Sequence, residues 1–575
     1  MYNGKYRNAL YETRPLRDIR DLMNSSVELY GDRPAYLVKR RPGGAYEPIS
    51  FRAFRRDVTA FGTALLDAGL REKPVAVVGE NRYEWIVTYL AAVCGGGVIV
   101  PIDRELGAEE IAHLLARAEA GCIVYSGKLE TVVDEALRRL GGIGAKISMD
   151  ATENEETRLS MKRLIERGHA LMRDGAKEYF RVEIDPRAMC SLIFTSGTTG
   201  LAKGVMLSHA NLAANVVGMA KFVRVVEWTL LSVLPMHHTY EFTCSILGAM
   251  YQGCTVAICE GLKHIVKNMA ECKANVMLGV PLMFEKMHQK VWKEAERTGK
   301  AKMMRRAIAV SKAVGGQKLR TTKRMFKSVH QAMGGEMRLL IAGGAAIDPG
   351  VIEDFNAMGL KMIQGYGMTE NSPIIAVNKD RCSKAAAAGI PMDGTEVRIE
   401  GKDGDGIGEI VYRGPSVMLG YYGDPGETAK VLRDGWLRSG DYGRMDGDGF
   451  LYVTGRKKNV IVTKNGKNIF PEEVEYYLLK SPYIEEAVVW GKEEGRGGDT
   501  VICADIFPDF ASIEKDCGAV GTEETRKILQ AAIDSANEKM PPYKRVRRFS
   551  VREEEFEKTT TKKIKRHLLK HEEPT

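Results

Sequence analysis

The sequence predicts an α/β protein, with doubly wound parallel sheets and a small β-barrel-like subdomain in a large N-terminal domain, followed by a small α+β domain. Two patterns predict this class. Short β-branched runs alternate with amphipathic helical segments through most of the chain, and short β-rich runs between glycine and aspartate turns follow Ala376. The 575 residues also exceed the usual domain size of about 100–200 residues, so more than one domain is expected.

The parallel sheets are predicted from repeated strand–helix units. Residues 75–78 form an apolar run, 82–93 an amphipathic helix and 98–102 a second apolar run after a glycine turn. A second strand is predicted at 190–194, before a glycine-rich loop, and Ser208 is placed as the N-cap of the helix that follows.

A third unit has a strand at 338–342 and a helix that Asp348 caps and Pro349 opens. Each unit predicts a strand of a parallel sheet covered by helices.

The last third of the chain predicts different structure. Strands at 396–399, 409–413 and 450–454 indicate a small barrel or antiparallel sheet. A basic segment at 456–459 then precedes a strand, a helix opened by Pro471 and a long amphipathic helix. We therefore expect a domain boundary near residue 456, between an N-terminal domain of 1–455 and a C-terminal domain of 456–575.

Composition places the chain among ordinary globular proteins, with 44% hydrophobic and 28% charged residues. The net charge of +9 suggests anionic ligands without predicting a nucleic-acid partner. Residues 292–330 are helical in pattern and strongly basic. We favour a solvated helical insertion there over a membrane- or nucleic-acid-facing patch.

The cysteines, the N-terminus and the longest uncharged stretch all favour a cytosolic protein. The ten cysteines show no C-x-x-C spacing, which argues against a zinc site or a disulfide framework. The first twenty residues carry several basic residues and no apolar core of signal-peptide length. The uncharged stretch at 85–102 is broken by glycines and a proline, unlike a membrane span.

The segment at 195–204, Thr-Ser-Gly-Thr-Thr-Gly-Leu-Ala-Lys-Gly, predicts a phosphate-binding loop. Its glycines let the backbone approach a ligand, its hydroxyls and N–H groups donate to phosphate oxygens, and Lys203 supplies positive charge. It differs from the P-loop because Gly204 stands where that motif needs a hydroxyl for magnesium. A kinase or GTPase is therefore disfavoured.

Further motifs follow in the chain, and together with this loop they resemble the signatures of adenylate-forming enzymes, which include acyl-CoA synthetases, luciferases and nonribosomal adenylation domains. The segments that carry the resemblance are Leu-Pro-Met-His-His at 234–238, Ala-Gly-Gly-Ala-Ala at 342–346, Gln-Gly-Tyr-Gly-Met-Thr-Glu at 364–370, Ser-Gly-Asp at 439–441, the stretch from Gly455-Arg456 through Gly466 to Glu475, and Lys-Thr-Thr-Thr-Lys-Lys-Ile at 558–564. Six motifs in order make the resemblance specific.

The resemblance implies the site residues. The residues implied for ATP and CoA binding are Thr195, Ser196, Gly197, Thr198, Thr199, Gly200, Lys203, Gly343, Gly344, Ala345, Gln364, Gly365, Tyr366, Gly367, Asp441, Arg456, Lys458 and Gly466. By the same resemblance, Tyr366 stacks on adenine, Thr369 bonds the α-phosphate, Glu370 binds Mg²⁺ and Asp441 binds the ribose. His238 is implied near the acyl pocket.

Lys563 is implied as the catalytic lysine that bridges the substrate carboxylate and the α-phosphate. The chain departs from the family here, because Lys562 replaces the usual glycine. Lys458 falls at the family's hinge, about which the small C-terminal domain is mobile: it supplies the lysine, then rotates to open a pantetheine channel near Gly466.

The resemblance also suggests a substrate. Amino-acid-activating members carry an aspartate in the segment that here spans 234–241, where none occurs, so a free carboxylic acid is favoured. The segment 281–287 and the basic insertion look most like long-chain fatty acyl-CoA synthetases. We expect a fatty acid, ATP and CoA as substrates; an acyl carrier protein as acceptor, or a short-chain or aryl acid, remain alternatives. Peripheral membrane contact stays open, and a non-catalytic binding protein is disfavoured.

Overall fold

The computed structural model describes residues 6, 8–195, 202–313, 320–463, 467–493, 500–518, 521–559 and 563–569. The α-helices are α1 (Ile19–Tyr30), α2 (Phe51–Asp67), α3 (Tyr83–Cys94), α4 (Ala108–Arg117), α5 (Glu130–Leu140), α6 (Met161–Arg173), α7 (Glu178–Arg181), α8 (His209–Ala220), α9 (Gly248–Tyr251), α10 (Ile265–Glu271), α11 (Pro281–Arg297), α12 (Ala301–Ala313), α13 (Arg320–Met325), α14 (Lys327–Ala332), α15 (Pro349–Ala357), α16 (Pro425–Val431), α17 (Pro471–Leu478), α18 (Phe510–Cys517) and α19 (Thr522–Glu538).

The strands complete the element order. They are β1 (Pro34–Val38), β2 (Glu47–Ser50), β3 (Val75–Val78), β4 (Ile99–Ile102), β5 (Cys122–Tyr125), β6 (Ala145–Ser148), β7 (Leu159–Ser160), β8 (Met189–Thr195), β9 (Lys203–Ser208), β10 (Thr229–Ser232), β11 (Thr255–Ile258), β12 (Val276–Gly279), β13 (Leu339–Ala342), β14 (Lys361–Gly367), β15 (Ile374–Val377), β16 (Ile390–Pro391), β17 (Glu396–Glu400), β18 (Gly408–Arg413), β19 (Gly420–Tyr421), β20 (Leu432–Arg433), β21 (Trp436–Met445), β22 (Leu451–Arg456), β23 (Ile461–Val462), β24 (Asn468–Ile469), β25 (Ile484–Glu493), β26 (Thr500–Pro508) and β27 (Arg548–Val551).

Two large sheets dominate the fold. One has nine strands in the order β16-β15-β14-β13-β12-β10-β11-β1-β2, and the other has eight in the order β19-β9-β8-β4-β3-β5-β6-β7. Their central pairs are parallel, whereas β2, β15 and β16 in the first sheet and β9 and β19 in the second pair antiparallel to their neighbours. The predicted α/β class with parallel sheets is confirmed.

The sequence signals explain several element boundaries. β3 is fully buried, which is why its four residues are all apolar. Ser208 caps α8 by accepting from the backbone N–H of Asn211, and Asp348 caps α15 with Pro349 in its first turn. One element differs from expectation: the segment before Ser208 is the strand β9, which pairs antiparallel with β8. The predicted phosphate-binding loop therefore connects two strands of a hairpin.

After Ala376, a five-stranded sheet is formed by β17, β18, β20, β21 and β22, in which β21 pairs with β18, β20 and β22. β20 and β22 both run antiparallel to β21. Beyond it, β25, β26 and β27 form a three-stranded sheet. Its apolar residues pack with those of α17 and α19, which gives the C-terminal part its own core.

The chain divides into two compact units. The first comprises Met1–Glu396, Tyr412–Leu437 and Gly447–Phe450, and the second comprises Val397–Val411, Arg438–Asp446 and Leu451–Thr575. A separate C-terminal domain is thus confirmed, and the boundary expected at residue 456 and the mobility of that domain stay predictions.

All ten cysteines are free, and Cys517 is the one that is exposed. Among the described residues, no helix combines the length and the apolar character needed to cross a membrane.

Candidate active site

The first unit gathers predicted site residues along one edge of its nine-stranded sheet. β10, β12, β13 and β14 are adjacent and parallel, so their carboxyl ends meet at the same edge. His238 follows β10, Gly343 follows β13, and Tyr366 lies near the end of β14, just before Glu370. The carboxyl edge of such a sheet is where ligands of α/β proteins bind.

Gly343 marks a close approach between two chain segments at this edge. A Cβ atom at this position would lie 2.6 Å from Cζ of Tyr240. The Tyr240 hydroxyl donates to the carbonyl oxygen of Ile341 at 3.0 Å, which fixes the ring there. Gly344 has φ +87°, and it is exposed together with Ala345. The glycine turn thus presents backbone atoms beside an anchored aromatic ring.

A bridge of side-chain contacts runs from Lys203, in the predicted phosphate-binding segment, through Tyr421 to Glu370. Lys203 begins β9, opposite Thr195 at the end of β8. Its ammonium lies 5.0 Å from the centre of the Tyr421 ring, and the Tyr421 hydroxyl donates to Oε1 of Glu370 at 2.8 Å. Burial and the charge of Glu370 raise the pKa of Tyr421, so its hydroxyl remains a donor at neutral pH. A cation and an oriented carboxylate are thereby held together.

Glu427 balances the charge of Lys203. Its Oε2 lies 2.5 Å from Nζ of Lys203, and the hydrogen bond from Lys203 is the largest of the causes that lower the pKa of Glu427 to about 2. Both side chains are only partly exposed. The ion pair therefore fixes the position of the Lys203 side chain at the start of β9.

In the motif at 364–367, some residues are buried in the packing of the strand and Tyr366 is partly exposed. The Gln364 side chain is buried, and its amide donates to the carbonyl oxygen of Ala385 at 2.6 Å. A Cβ atom at Gly367 would lie 2.0 Å from the carbonyl oxygen of Pro373, and one at Gly365 would lie 3.3 Å from the carbonyl oxygen of Ala376. Tyr366 is half-buried, as are Thr369 and Glu370. The glycines thus allow the close packing of β14 and β15 that holds Tyr366 in place.

The segment that carries His238 is fixed on its N-terminal side by Asn81. Asn81 donates to the carbonyl oxygen of Leu234 at 2.6 Å and accepts from the backbone N–H of Met236 at 3.1 Å. The rings of His237 and His238 lie 4.1 Å apart. A π-helix, Tyr240–Leu247, follows directly after Thr239. π-Helical turns are rare and occur mostly at functional sites.

Glu241 in this π-helix is wholly buried. It accepts hydrogen bonds from the hydroxyls of Ser232 at 2.5 Å and Ser245 at 2.9 Å. Burial raises its pKa to about 7, against the lowering effect of the two hydroxyls. The carboxyl therefore ties the π-helix to β10.

The second unit holds a separate group of predicted residues. Asp441 on β21 is paired in register with Arg456 on β22, and Nε of Arg456 lies 2.9 Å from Oδ1 of Asp441. The Asp441 side chain is almost fully buried, while Arg456 is about half exposed. Such an ion pair orients the guanidinium, which is a multidentate hydrogen-bond donor.

Lys563 lies within electrostatic reach of this pair. Its pKa is lowered, first by withdrawal of the ammonium from water and then by Arg456, while Asp441 opposes the shift. Since the residue as a whole is exposed, solvent screening limits the effect. Burial and the charge of Arg456 also lower the pKa of Lys458. The second unit thus brings together Asp441, Arg456, Lys458 and Lys563.

Some expected residues lie outside the described residues, namely Ser196, Gly197, Thr198, Thr199, Gly200, Gly466 and Lys562. Within the part of the chain that is described, no group of three or more His, Cys, Asp or Glu side chains could hold a metal ion. A lone carboxylate such as that of Glu370 has ligand chemistry that suits Mg²⁺, because Mg²⁺ in nucleotide sites is held by one or two carboxylates and by substrate phosphates.

Sequence reasoning missed several residues of this site. Tyr421 and Glu427 reach Lys203 from more than two hundred residues away, and neither lies in a recognised motif. Asn81 likewise lies outside the recognised motifs, whereas Tyr240 lies within the segment 234–241 but its contact with the turn at Gly343 has no local signal. Glu241 offered one signal, a carboxylate in an otherwise apolar helical run, which predicts burial with partners.

The comparisons with known proteins agree with these motifs. The model of the AMP-binding enzyme family matches residues 23–422, and that of the AMP-binding enzyme C-terminal domain matches residues 458–572. The chain is 29% identical to the long-chain-fatty-acid–CoA ligase FadD15 of Mycobacterium bovis, covering 94% of this chain and 93% of the relative. It is 30% identical to a feruloyl-CoA synthase of Amycolatopsis sp, and the match covers 83% of this chain and 87% of that relative.

Solved structures share the fold. The anthranilate CoA ligase AuaEII in complex with anthranoyl-AMP has a TM-score of 0.74 at 19% identity, covering 96% of both chains. The o-succinylbenzoate CoA synthetase MenE of Bacillus subtilis in complex with AMP has a TM-score of 0.72 at 20% identity, covering 96% of this chain and 98% of that one. With its two family domains matched in order, this chain belongs to the AMP-binding enzyme family.

Proposed function

We propose that this protein is an AMP-forming ligase that joins a medium- or long-chain fatty acid to coenzyme A through an acyl-AMP intermediate. The observation that carries the proposal is the bridge from Lys203 through Tyr421 to Glu370. It places a cation for phosphate oxygens and an oriented carboxylate for Mg²⁺ in one cluster. Activation of a carboxylate by ATP needs both, because negative charge must be neutralised when the two anions meet.

The residues of the first unit then have distinct tasks in this proposal. Bound Mg²⁺ would neutralise charge on the triphosphate. Lys203 binds phosphate oxygens, Thr369 donates to the α-phosphate and Tyr366 stacks on the adenine ring. Tyr421 keeps the Glu370 carboxylate oriented. His238 lines the entrance to the acyl pocket, on a segment that Asn81 holds rigid.

The second unit supplies the remaining groups. Asp441 accepts from the ribose hydroxyls, Arg456 donates to ribose or phosphate, and the Lys563 ammonium stabilises charge on the reacting carboxylate and α-phosphate. Rotation about Lys458 then opens the path to Gly466 for the thiol of CoA. We place the reaction in the cytosol, where ten free thiols stay reduced.

The buried state of Glu241 supports a carboxylic acid without an amino group as substrate. An amine needs an accessible carboxylate partner, and the carboxyl of Glu241 is committed to two serine hydroxyls inside the protein. A fatty acid is favoured over an aromatic one because several relatives are named long-chain-fatty-acid–CoA ligases. An aromatic acid is the second candidate, since a feruloyl-CoA synthase is as similar and the fold resembles an anthranilate CoA ligase.

Mass spectrometry of the products tests the proposal. The full chain is incubated with Mg-ATP and a mixture of acetate, octanoate, palmitate, benzoate, ferulate and amino acids, with and without CoA. We expect octanoyl- or palmitoyl-CoA with CoA and the corresponding acyl-AMP without it. Glu370→Gln should give neither product, while Asp405→Asn, in an exposed turn, should match the wild type.

Other outcomes would contradict the proposal in separable ways. Feruloyl- or benzoyl-CoA alone would replace the fatty acid by an aromatic one. Accumulation of acyl-AMP in the presence of CoA would point to an acyl carrier protein as the acceptor. Absence of any adenylate with every acid would refute the assignment of an active ligase.

A further inference from the structure

The positive charge of this protein is concentrated in one segment. Residues 298–335 contain ten lysines and arginines and no aspartate or glutamate, whereas the whole chain carries +9. The rest of the chain therefore has a slight negative excess. The ten basic residues are Lys300, Lys302, Arg305, Arg306, Lys312, Lys318, Arg320, Lys323, Arg324 and Lys327.

The segment is anchored to the protein core. Met304 and Ile308 of α12, and Phe326 and Val329 beside and within α14, belong to one buried apolar cluster. The Ser311 hydroxyl donates to the carbonyl oxygen of Ala357 at 2.7 Å. The outer surface of α12 is therefore held in a fixed orientation.

The outer face of α12 combines basic and apolar side chains. Since Met304, Ile308 and Ser311 are buried, helical geometry turns Lys302, Met303, Arg306 and Val310 outward. Met303 is 63% exposed and Val310 is 59% exposed. We call Lys302, Met303, Arg306 and Val310 the α12 face.

The basic residues beside the α12 face have partners within the protein. Lys312 lies 3.1 Å from carboxylate oxygens of both Glu353 and Asp354, and Arg305 lies over the Trp292 ring at 5.6 Å. By contrast, Lys302 and Arg306 of the α12 face form no ion pair with any carboxylate among the described residues. These two charges remain available to an external partner.

We propose that the α12 face docks this protein on a bilayer that contains anionic phospholipids. Basic residues attract the negative headgroups, and exposed Met303 and Val310 can enter the boundary between headgroups and acyl chains. A single-stranded nucleic acid fits less well, because such sites stack bases on aromatic rings and Phe326, the single aromatic residue of 298–335, is buried. Docking there would let the proposed ligase receive a fatty acid from the membrane, but the docking does not depend on that function.

Vesicle co-sedimentation of the full chain tests the proposal. Phosphatidylcholine vesicles are compared with vesicles that also contain phosphatidylglycerol, at low and at physiological salt. The wild type should bind the anionic vesicles more tightly, and salt should weaken the binding. Lys302→Gln/Arg306→Gln should reduce binding about 25-fold, since one basic residue near a charged surface contributes about five-fold. Met303→Ser/Val310→Ser should reduce it about ten-fold.

A matched control and a competitor complete the design. Lys162→Gln/Lys177→Gln removes the same charge from exposed positions at α6 and beside α7, and it should change binding less than two-fold. The docking proposal is overturned if both vesicle types bind equally, if the control loses as much binding as the α12 variants, or if single-stranded DNA binds through the α12 face while the anionic vesicles do not. Conversion of a water-soluble acid, assayed separately, should be unchanged in all variants, so loss of docking and loss of the proposed activity are distinguishable.

Discussion

Replacing Glu241 by glutamine should remove a pH-dependent loss of stability. The folded-state pKa of Glu241 is raised from 4.5 to about 7, so the folded protein binds this proton more tightly than the unfolded chain does. The stabilisation that this proton provides is complete below the unfolded-state pKa. It declines as the pH rises above about 4.5, and it is gone once the pH passes the folded-state value near 7.

The size of the effect follows from the shift. One pKa unit corresponds to about 1.4 kcal/mol, so the raised pKa of a fully buried Glu241 corresponds to about 3 kcal/mol of unfolding free energy. Glutamine keeps the shape without a charge, because its amide oxygen accepts from one serine hydroxyl and its NH₂ group donates to the hydroxyl oxygen of the other serine. The stability of Glu241→Gln relative to the wild type should therefore rise by about 3 kcal/mol between mildly acidic and mildly alkaline pH.

Urea unfolding of both proteins across that pH range measures the difference. Glu475→Gln provides a matched control, because burial also raises the pKa of Glu475 to about 7, but this residue lies in the second unit and contacts Arg566. Glu241→Gln should change the unfolding transition of the first unit alone. Parallel pH profiles for the variant and the wild type would refute the reasoning, as would a variant that is less stable at alkaline pH.

Three further substitutions test other parts of the structure. Lys563→Ala should lower acyl-AMP formation by a factor of 100 or more, as expected when a group that stabilises transition-state charge is lost, and leave ATP affinity nearly unchanged in a calorimetric titration. Gly343→Ala should cost about 1–3 kcal/mol of stability, because the new methyl group displaces the Tyr240 ring, and ATP binding should weaken with it. Lys39→Met should lower the unfolding free energy by about 2 kcal/mol, because it leaves the carboxylates of Glu260 and Glu271 without their buried cation.

Two of these substitutions have a matched control variant, and the third has a result that would contradict it. Gly404→Ala adds a methyl group where no heavy atom lies within 4 Å, so it should leave stability and ATP binding unchanged. Lys39→Arg keeps the charge and should recover part of the lost stability. A Lys563→Ala variant with full adenylation activity would show that another group supplies the catalytic charge.

The sequence predicts those elements whose signals are local. β3 consists of four buried aliphatic residues, and Ser208 and Asp348 are capping residues whose side chains accept from the backbone two or three residues later. β9 was missed because it begins Lys-Gly and is stabilised by pairing with β8, a contact that lies outside any local pattern.

The same distinction applies to the candidate site. Glu370, Tyr366 and Lys203 lie in contiguous motifs and can be recognised from sequence. Tyr421, which connects two of them, reaches the site only after the chain has folded β19 against β9. The burial of Glu241 likewise depends on Ser232 of β10, which the helical pattern of the segment does not reveal.

A single exposed cysteine, Cys517, allows the second unit to be labelled with a fluorescent dye. Burial raises the pKa of thiols such as Cys94 and Cys122 to about 12, which keeps them unreactive toward alkylating reagents. Cys517, at the end of α18, is the exposed exception. A maleimide dye should therefore attach there in the unmodified chain, and a second dye on an introduced cysteine of the first unit would report any rearrangement during turnover as a change in energy transfer.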